Sequence, residues 1–227
     1  MGQLKSQVLG DATGKVGHLV FRIRKGGNLI AKAPIFPKRI PNATEVALRA
    51  KFRLTSKATH AIYSVDKLKA IWPQPTGKMT KYNEIFQANY PFIGTIENLG
   101  TISVSPMYGF NLVNPVITIG ATSVQLAADA LGIGIGIDTS VEKFAIICGV
   151  AVLSNPTILG WPESDIVSFK SMQHNLDLIN DIDLTANLGG ENLTKFTGYT
   201  TRTAYVCLLT LDDNGKGIRY SVTAKSL

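Results

Sequence analysis

Charge is scarce in this chain. Only 17% of its 227 residues are Asp, Glu, Lys or Arg, 8% are aromatic, and there are two cysteines and three histidines. His18, His60 and His174 stand at metal-ligand spacing neither from one another nor from a cysteine, which argues against zinc. No serine lies in a nucleophile-elbow sequence, and no pair of carboxylates is spaced for acid–base work. The expectation is a non-enzymatic protein with no cofactor. An apolar core of signal-peptide length is also missing after "MGQLKSQVLGDATGK", so no classical secretory leader is read; the location is unknown, with an extracellular surface or virion favoured. The longest low-charge run is "VITIGATSVQLAADALGIGIGI"; Gln125, Asp129 and its small polar residues argue against a membrane span.

What is present points to a folded, β-leaning chain. Apolar residues make up 45% and there are 21 glycines, enough for one large domain or two modest ones. Charge of one sign is unevenly placed. Residues 1–100 hold sixteen Lys/Arg against five Asp/Glu, whereas residues 101–227 hold seven against eleven, so a net of +11 faces a net of −4. Such a molecule can dock head to tail on copies of itself, or lay its basic part on an anionic partner.

The opening "VLGDATGKVG" nearly spells a phosphate loop, but the motif fails in three ways. Gly10 and Gly14 enclose three residues instead of four, Val16 replaces the metal-binding hydroxyl, and a strand pattern follows where a helix is required. The glycines Gly14 and Gly17 read better as bends before a hairpin. In "VGHLVFRIR", Leu19, Phe21 and Ile23 alternate with Val20, Arg22 and Arg24. "KGGN", with Gly26 and Gly27, is the turn, and "LIAKAPI" the return strand. The three prolines of "PIFPKRIP" make an extended connector.

At Asn42 the period changes to that of a helix, with Glu45 completing a capping box. Ala47, Ala50, Leu54, Ala58 and Ala61 form one stripe; Arg49, Arg53, Lys57 and His60 line the other side. Helices are also predicted at "DKLKAIW" and "MTKYNEIFQANY". From residue 97 the chain reads as about eight short strands, including "GTISVSP", "KFAIICGVAVLS", "LTKFTGY" and "TAYVCLLTLDD", with "DDNGKG" as a hairpin turn. The predicted fold is mainly β with a helical insert. A basic β-hairpin arm and connector span 1–41, a helical segment 42–96, and a β-sandwich 97–227.

"TGKVG" at Thr13–Gly17, with Lys15, then Phe21, the pair Gly26–Gly27, the prolines to Pro41, and Thr44 followed by Arg49 and Phe52, resembles the opening of a group of bacterial and phage-associated proteins. Their N-terminus reads Ser-Gly-Lys-Val-Gly, strand, glycine turn, proline link, helix; Thr13 replaces the serine. The resemblance implies an immunoglobulin- or fibronectin-like C-terminal sandwich and carries no activity. Cys148, Trp161, Tyr205 and Cys207 imitate the immunoglobulin layout, although Trp161 lies in a turn-like "LGWPESD"; buried free thiols and a disulfide both remain open. Asp177, Asp181, Asp183 and Glu191 lack calcium-loop register and read as a solvated loop.

Two features suggest function. From Lys15 to Lys57 there are eleven Lys/Arg and one acid, so binding of nucleic-acid phosphates is one reading. Against it, Phe21 and Phe36 are not interleaved for base stacking. In "LGIGIGIDTS", Ile133, Ile135 and Ile137 alternate with glycine, as in an internal strand or one that accepts an incoming strand. The favoured expectation is a structural protein that self-assembles by β-strand addition into a filament, surface layer or virion component. Copies of itself are the expected partner, and nucleic acid the alternative.

Overall fold

The computed structural model describes residues 2–4, 14–16, 19–24, 27–32, 40–75, 77, 79–94, 100–132 and 136–226. The chain divides into two compact units, Met1–Asn42 and Ala43–Leu227. The first is one antiparallel sheet of β1 (Gly2–Leu4), β2 (Gly14–Val16), β3 (Leu19–Arg24) and β4 (Gly27–Lys32), in the order β1-β4-β3-β2. The expected hairpin is its centre: β3 pairs β4 from Leu19–Lys32 to Arg24–Gly27. The flanking strands β1 and β2 have three residues each, too few to show alternation in the sequence.

The second unit opens with the helices α1 (Ala43–Ser64), α2 (Asp66–Ile71) and α3 (Lys81–Asn89). Thr80 caps α3, its side-chain oxygen accepting the Asn83 N–H at 3.3 Å. A small sheet follows, with β5 (Val116–Ile119), β6 (Ser123–Ala128) and β10 (Ile182–Asn187) in the order β10-β6-β5. The larger sheet runs β12-β11-β7-β8, from β7 (Phe144–Pro156), β8 (Ser164–Lys170), β11 (Tyr199–Leu211) and β12 (Gly217–Tyr220). Short β9 (His174–Asn175) pairs β7, and β13 (Ala224–Lys225) pairs β11. Helix α4 (Gly190–Thr197) connects β10 to β11. No helix of the described residues is long and apolar enough to cross a membrane.

The large sheet is buried on both faces. Ala145, Ile147, Ala151 and Leu153 of β7 join Val206 and Leu208 of β11 in one core, which includes Val124, Leu126, Leu184 and Ala186 of the small sheet. Ile146, Cys148, Val150 and Val152 join Cys207, Leu209 and Leu211 in a second core, with Leu54, Ala58, Ile62, Leu68 and Ile85 of the helices. The layers are therefore helices, large sheet, small sheet. The chain is mainly β, but its strands do not close into an immunoglobulin-type sandwich. The reason is legible in "FAIICGVAVL": both parities of β7 are apolar, and a strand greasy on both faces must be covered on both.

Cys148 and Cys207 face each other across adjacent strands of one sheet, not across two sheets, and both are free and fully buried. Burial pushes the Cys148 thiol up to about 12 and the Cys207 thiol well above the ordinary range. A buried protonated thiol is a poor nucleophile. Native protein is accordingly expected to resist an aromatic disulfide reagent, with both thiols titrating only after denaturant is added. Rapid labelling of either one before unfolding contradicts this packing.

Two predicted strands are something else. "LTKFTGY" is largely helix α4, whose Glu191 and Lys195 pair at 2.8 Å one turn apart and whose Phe196 is buried. That i,i+4 pair was the helical signal beneath the β-branched threonines. "GTISVSP" forms no strand, because side chains replace a ladder there. The Ser103 N–H donates to Asn89 Oδ1 at 2.7 Å, the Val104 N–H to Thr223 Oγ1 at 3.0 Å, and Trp72 Nε1–H to the Val104 carbonyl at 3.2 Å. Conversely β10 occupies part of the stretch read as an acidic loop, burying Ile182, Leu184 and Ala186.

Candidate functional site

The arm residues are distributed over the first unit's sheet. Gly14 of β2 stands opposite Phe21 of β3, and Lys15 opposite Val20. Arg22 pairs with Leu29 and Arg24 with Gly27. Gly17 and Gly26 lie outside the described residues. Among the described residues this unit is a single layer of short strands, and its terminal members β1 and β2 each pair with one described neighbour.

On α1 the three cations of the basic face separate. Arg49 and Arg53 are exposed and form no ion pair among the described residues. Lys57 is engaged: its Nζ donates to the Ser164 carbonyl at 2.8 Å and pairs with Asp165 Oδ1 at 3.3 Å. Only the second half of the predicted apolar stripe is inside. Leu54, Ala58 and Ala61 are buried, while Ala47 and Ala50 are exposed. That first half also carries Val46, Leu48 and Phe52, exposed by 53, 51 and 57%. Phe52 packs on Phe86 of α3 at 5.0 Å between ring centroids.

Between α1, β8 and α4 runs a polar cleft of about 570 Å³. Its charges neutralise one another: Asp165 lies 3.3 Å from Lys57 and 3.7 Å from Lys195, which is 2.8 Å from Glu191. The hydrogen bond that Lys195 donates to Glu191 raises the Lys195 pKa, against the opposing effect of burial. The cleft also caps the edge of the large sheet. Lys57 takes the Ser164 carbonyl, Asp165 Oδ1 accepts the Ile166 N–H at 3.0 Å, and Asn192 Nδ2 donates to the Ser168 carbonyl at 2.9 Å. An edge strand whose main-chain groups are held by side chains is blocked to an incoming strand. This role of Asp165 and Asn192 had no signature in the sequence, because it depends on residues far apart in the chain.

The proposed acceptor isoleucines are not brought into a described strand. Ile137 is irregular in backbone and its side chain is buried in the core shared with the small sheet; Ile133 and Ile135 lie outside the described residues. By contrast β5 ends the small sheet with "VITI", and Asn98–Ala128 contains no Lys, Arg, Asp or Glu. The other small-sheet edge, β10, carries Asp183. Compared with protein-family models, curated proteins and solved structures, the chain matches none. Among the described residues no three His, Cys, Asp or Glu side chains gather as a metal cluster.

At the far end of the body, the loop after β9 forms a rigid acidic knob. Asp177 Oδ1 accepts the N–H groups of Ile179 at 2.8 Å and Asn180 at 3.2 Å, and its Oδ2 accepts Asn180 Nδ2 at 2.6 Å. Those bonds, the Asn180 side chain first, hold the Asp177 carboxyl below its usual range. They leave Ile179 turned outward, 81% exposed.

Proposed function

We propose that this chain is a non-enzymatic structural subunit that assembles with copies of itself, as part of a filament, surface layer or virion. The observation that carries the reading is the separate N-terminal sheet of Met1–Asn42 with its two terminal strands. The described strands of this unit form a single layer, which by itself buries little apolar surface, so a covering or pairing surface would stabilise it. Strand addition supplies that completion through main-chain bonds. On the recipient, the capped β8 edge is closed to such pairing and the charged β10 edge disfavours it. The uncharged Val116–Ile119 edge of β5 is the acceptor this reading selects.

Removal of residues 1–42 is expected to abolish assembly while leaving the spectrum of a folded β-rich body. Sedimentation velocity and electron micrographs of full-length and shortened protein provide the check. Identical particles from both forms would refute the arm as the linker. Nucleic-acid binding through Arg49 and Arg53 is the second reading, weakened because Lys57 is already paired. A DNA complex released steeply by salt would favour it.

A further inference from the structure

The exposed half of α1 and the acidic knob are complementary in chemistry. One offers Leu48 and Phe52, one turn apart, beside Arg49 and Arg53; the other offers exposed Ile179 in a segment with exposed Asp177 and Asp181, followed by Asp183 in β10, where Asp181 also accepts the Ala130 N–H and Asp183 the Gln125 side chain. No ion pair engages these two arginines or three aspartates among the described residues. Both surfaces belong to the unit Ala43–Leu227.

They lie at opposite ends of β7. Along α1, Lys57 bonds to Ser164 and Ser64 bonds to Ser168, so the helix runs with β8 from its first residue toward its last. Ser164 pairs with Ser154 near the end of β7, and residues 43–53 of α1 lie upstream of that point. The knob sits at the other end: Asn175 pairs with Phe144, and the Leu176 N–H donates to the Lys143 carbonyl at 2.8 Å. From Phe144 to Ser154 is ten residues, roughly 33 Å of strand. The two surfaces cannot meet within one copy.

We infer that the acidic knob of one copy docks on the exposed half of α1 of the next. Ile179 enters the apolar surface of Leu48 and Phe52, one turn apart on α1, and the aspartates face Arg49 and Arg53. Because the surfaces differ and lie at opposite poles, the contact is heterologous, and repetition gives a polar filament or a closed ring. Charge complementarity of this kind sets orientation and excludes the reversed pairing. The inference rests on the self-assembly reading and adds a second contact to that of the N-terminal sheet.

The test uses the full-length chain in sedimentation velocity at high micromolar concentration. Arg49→Glu with Arg53→Glu, and separately Asp181→Lys with Asp183→Lys, are each expected to weaken association by on the order of 100-fold. An equimolar mixture of the two variants regains it, because each basic surface again meets an acidic one. Ile179→Asp changes a side chain outside the core and is expected to weaken association similarly with an unchanged circular dichroism spectrum. Folded variants that assemble like the parent, or a mixture that stays dissociated, overturn this contact while self-assembly stands. A parent that remains monomeric overturns both.

Discussion

Gly149→Ala is expected to lose about 3 kcal/mol of stability, at the upper end of overpacking penalties. Gly149 is in the middle of β7, opposite Phe169 of β8 and Val206 of β11. A Cβ there would stand 2.2 Å from the Tyr205 carbonyl oxygen and 2.7 Å from the Phe169 ring. The first neighbour is backbone in the longest strand pair of the protein, so relief requires opening the β7–β11 ladder and not a mere rotamer change. Gly189→Ala, where an added Cβ meets nothing within 4 Å, is the control and is expected to cost under about 1 kcal/mol. Denaturant midpoints at constant slope decide the matter. Equal, small losses at the two sites would mean that the sheet yields far more easily than its packing implies.

The second large effect is expected at Arg219→Met. Glu142 is only 2% exposed, yet it precedes β7 in a loop and carries a carboxylate. Arg219 Nε lies 3.1 Å from Glu142 Oε1, the Asp138 N–H donates to the same oxygen at 3.2 Å, and the Thr210 hydroxyl donates to Oε2. The Arg219 side chain is 44% exposed and that of Glu142 2%, so one member of the pair reaches water and the other does not. Removing the cation leaves a buried carboxylate with two neutral donors, a loss of about 3 kcal/mol. Glu142→Gln combined with Arg219→Met is expected to recover part of it, because no charge is then left inside. A loss below about 1 kcal/mol for Arg219→Met alone, the value for surface pairs, would refute the buried-charge account.

These two sites differ in how visible they were. Glu142 looked like any surface acid beside a turn, and nothing local marks it as buried; Gly149 was one glycine in an apolar run. The elements themselves were more legible. The change from period two to helical spacing at Asn42 located α1, "DDNGKG" located the β11–β12 turn, and the apolar runs located β7 and β11. Layering was not legible in the same way. Both parities of β7 are apolar, and nothing local in the strand says which elements cover which face. Of the basic face, Arg49 and Arg53 are exposed as the spacing predicted, whereas Lys57 is held by Asp165, more than a hundred residues away. The exposed Val46, Leu48 and Phe52 stand outside the predicted stripe, and nothing in their spacing marked them.

The order of the layers also has a cost during synthesis. Helix α1 ends at Ser64, and β7, the strand it must cover, begins at Phe144; β11 begins only at Tyr199. Helix α1 is therefore made without the strand it covers while about eighty more residues are added, roughly 5–15 s at ordinary elongation rates. Closure of β7 on β11 across that distance is a slow, non-local step. Leu54, Ile62 and Ile85 lack the sheet they pack against until it happens.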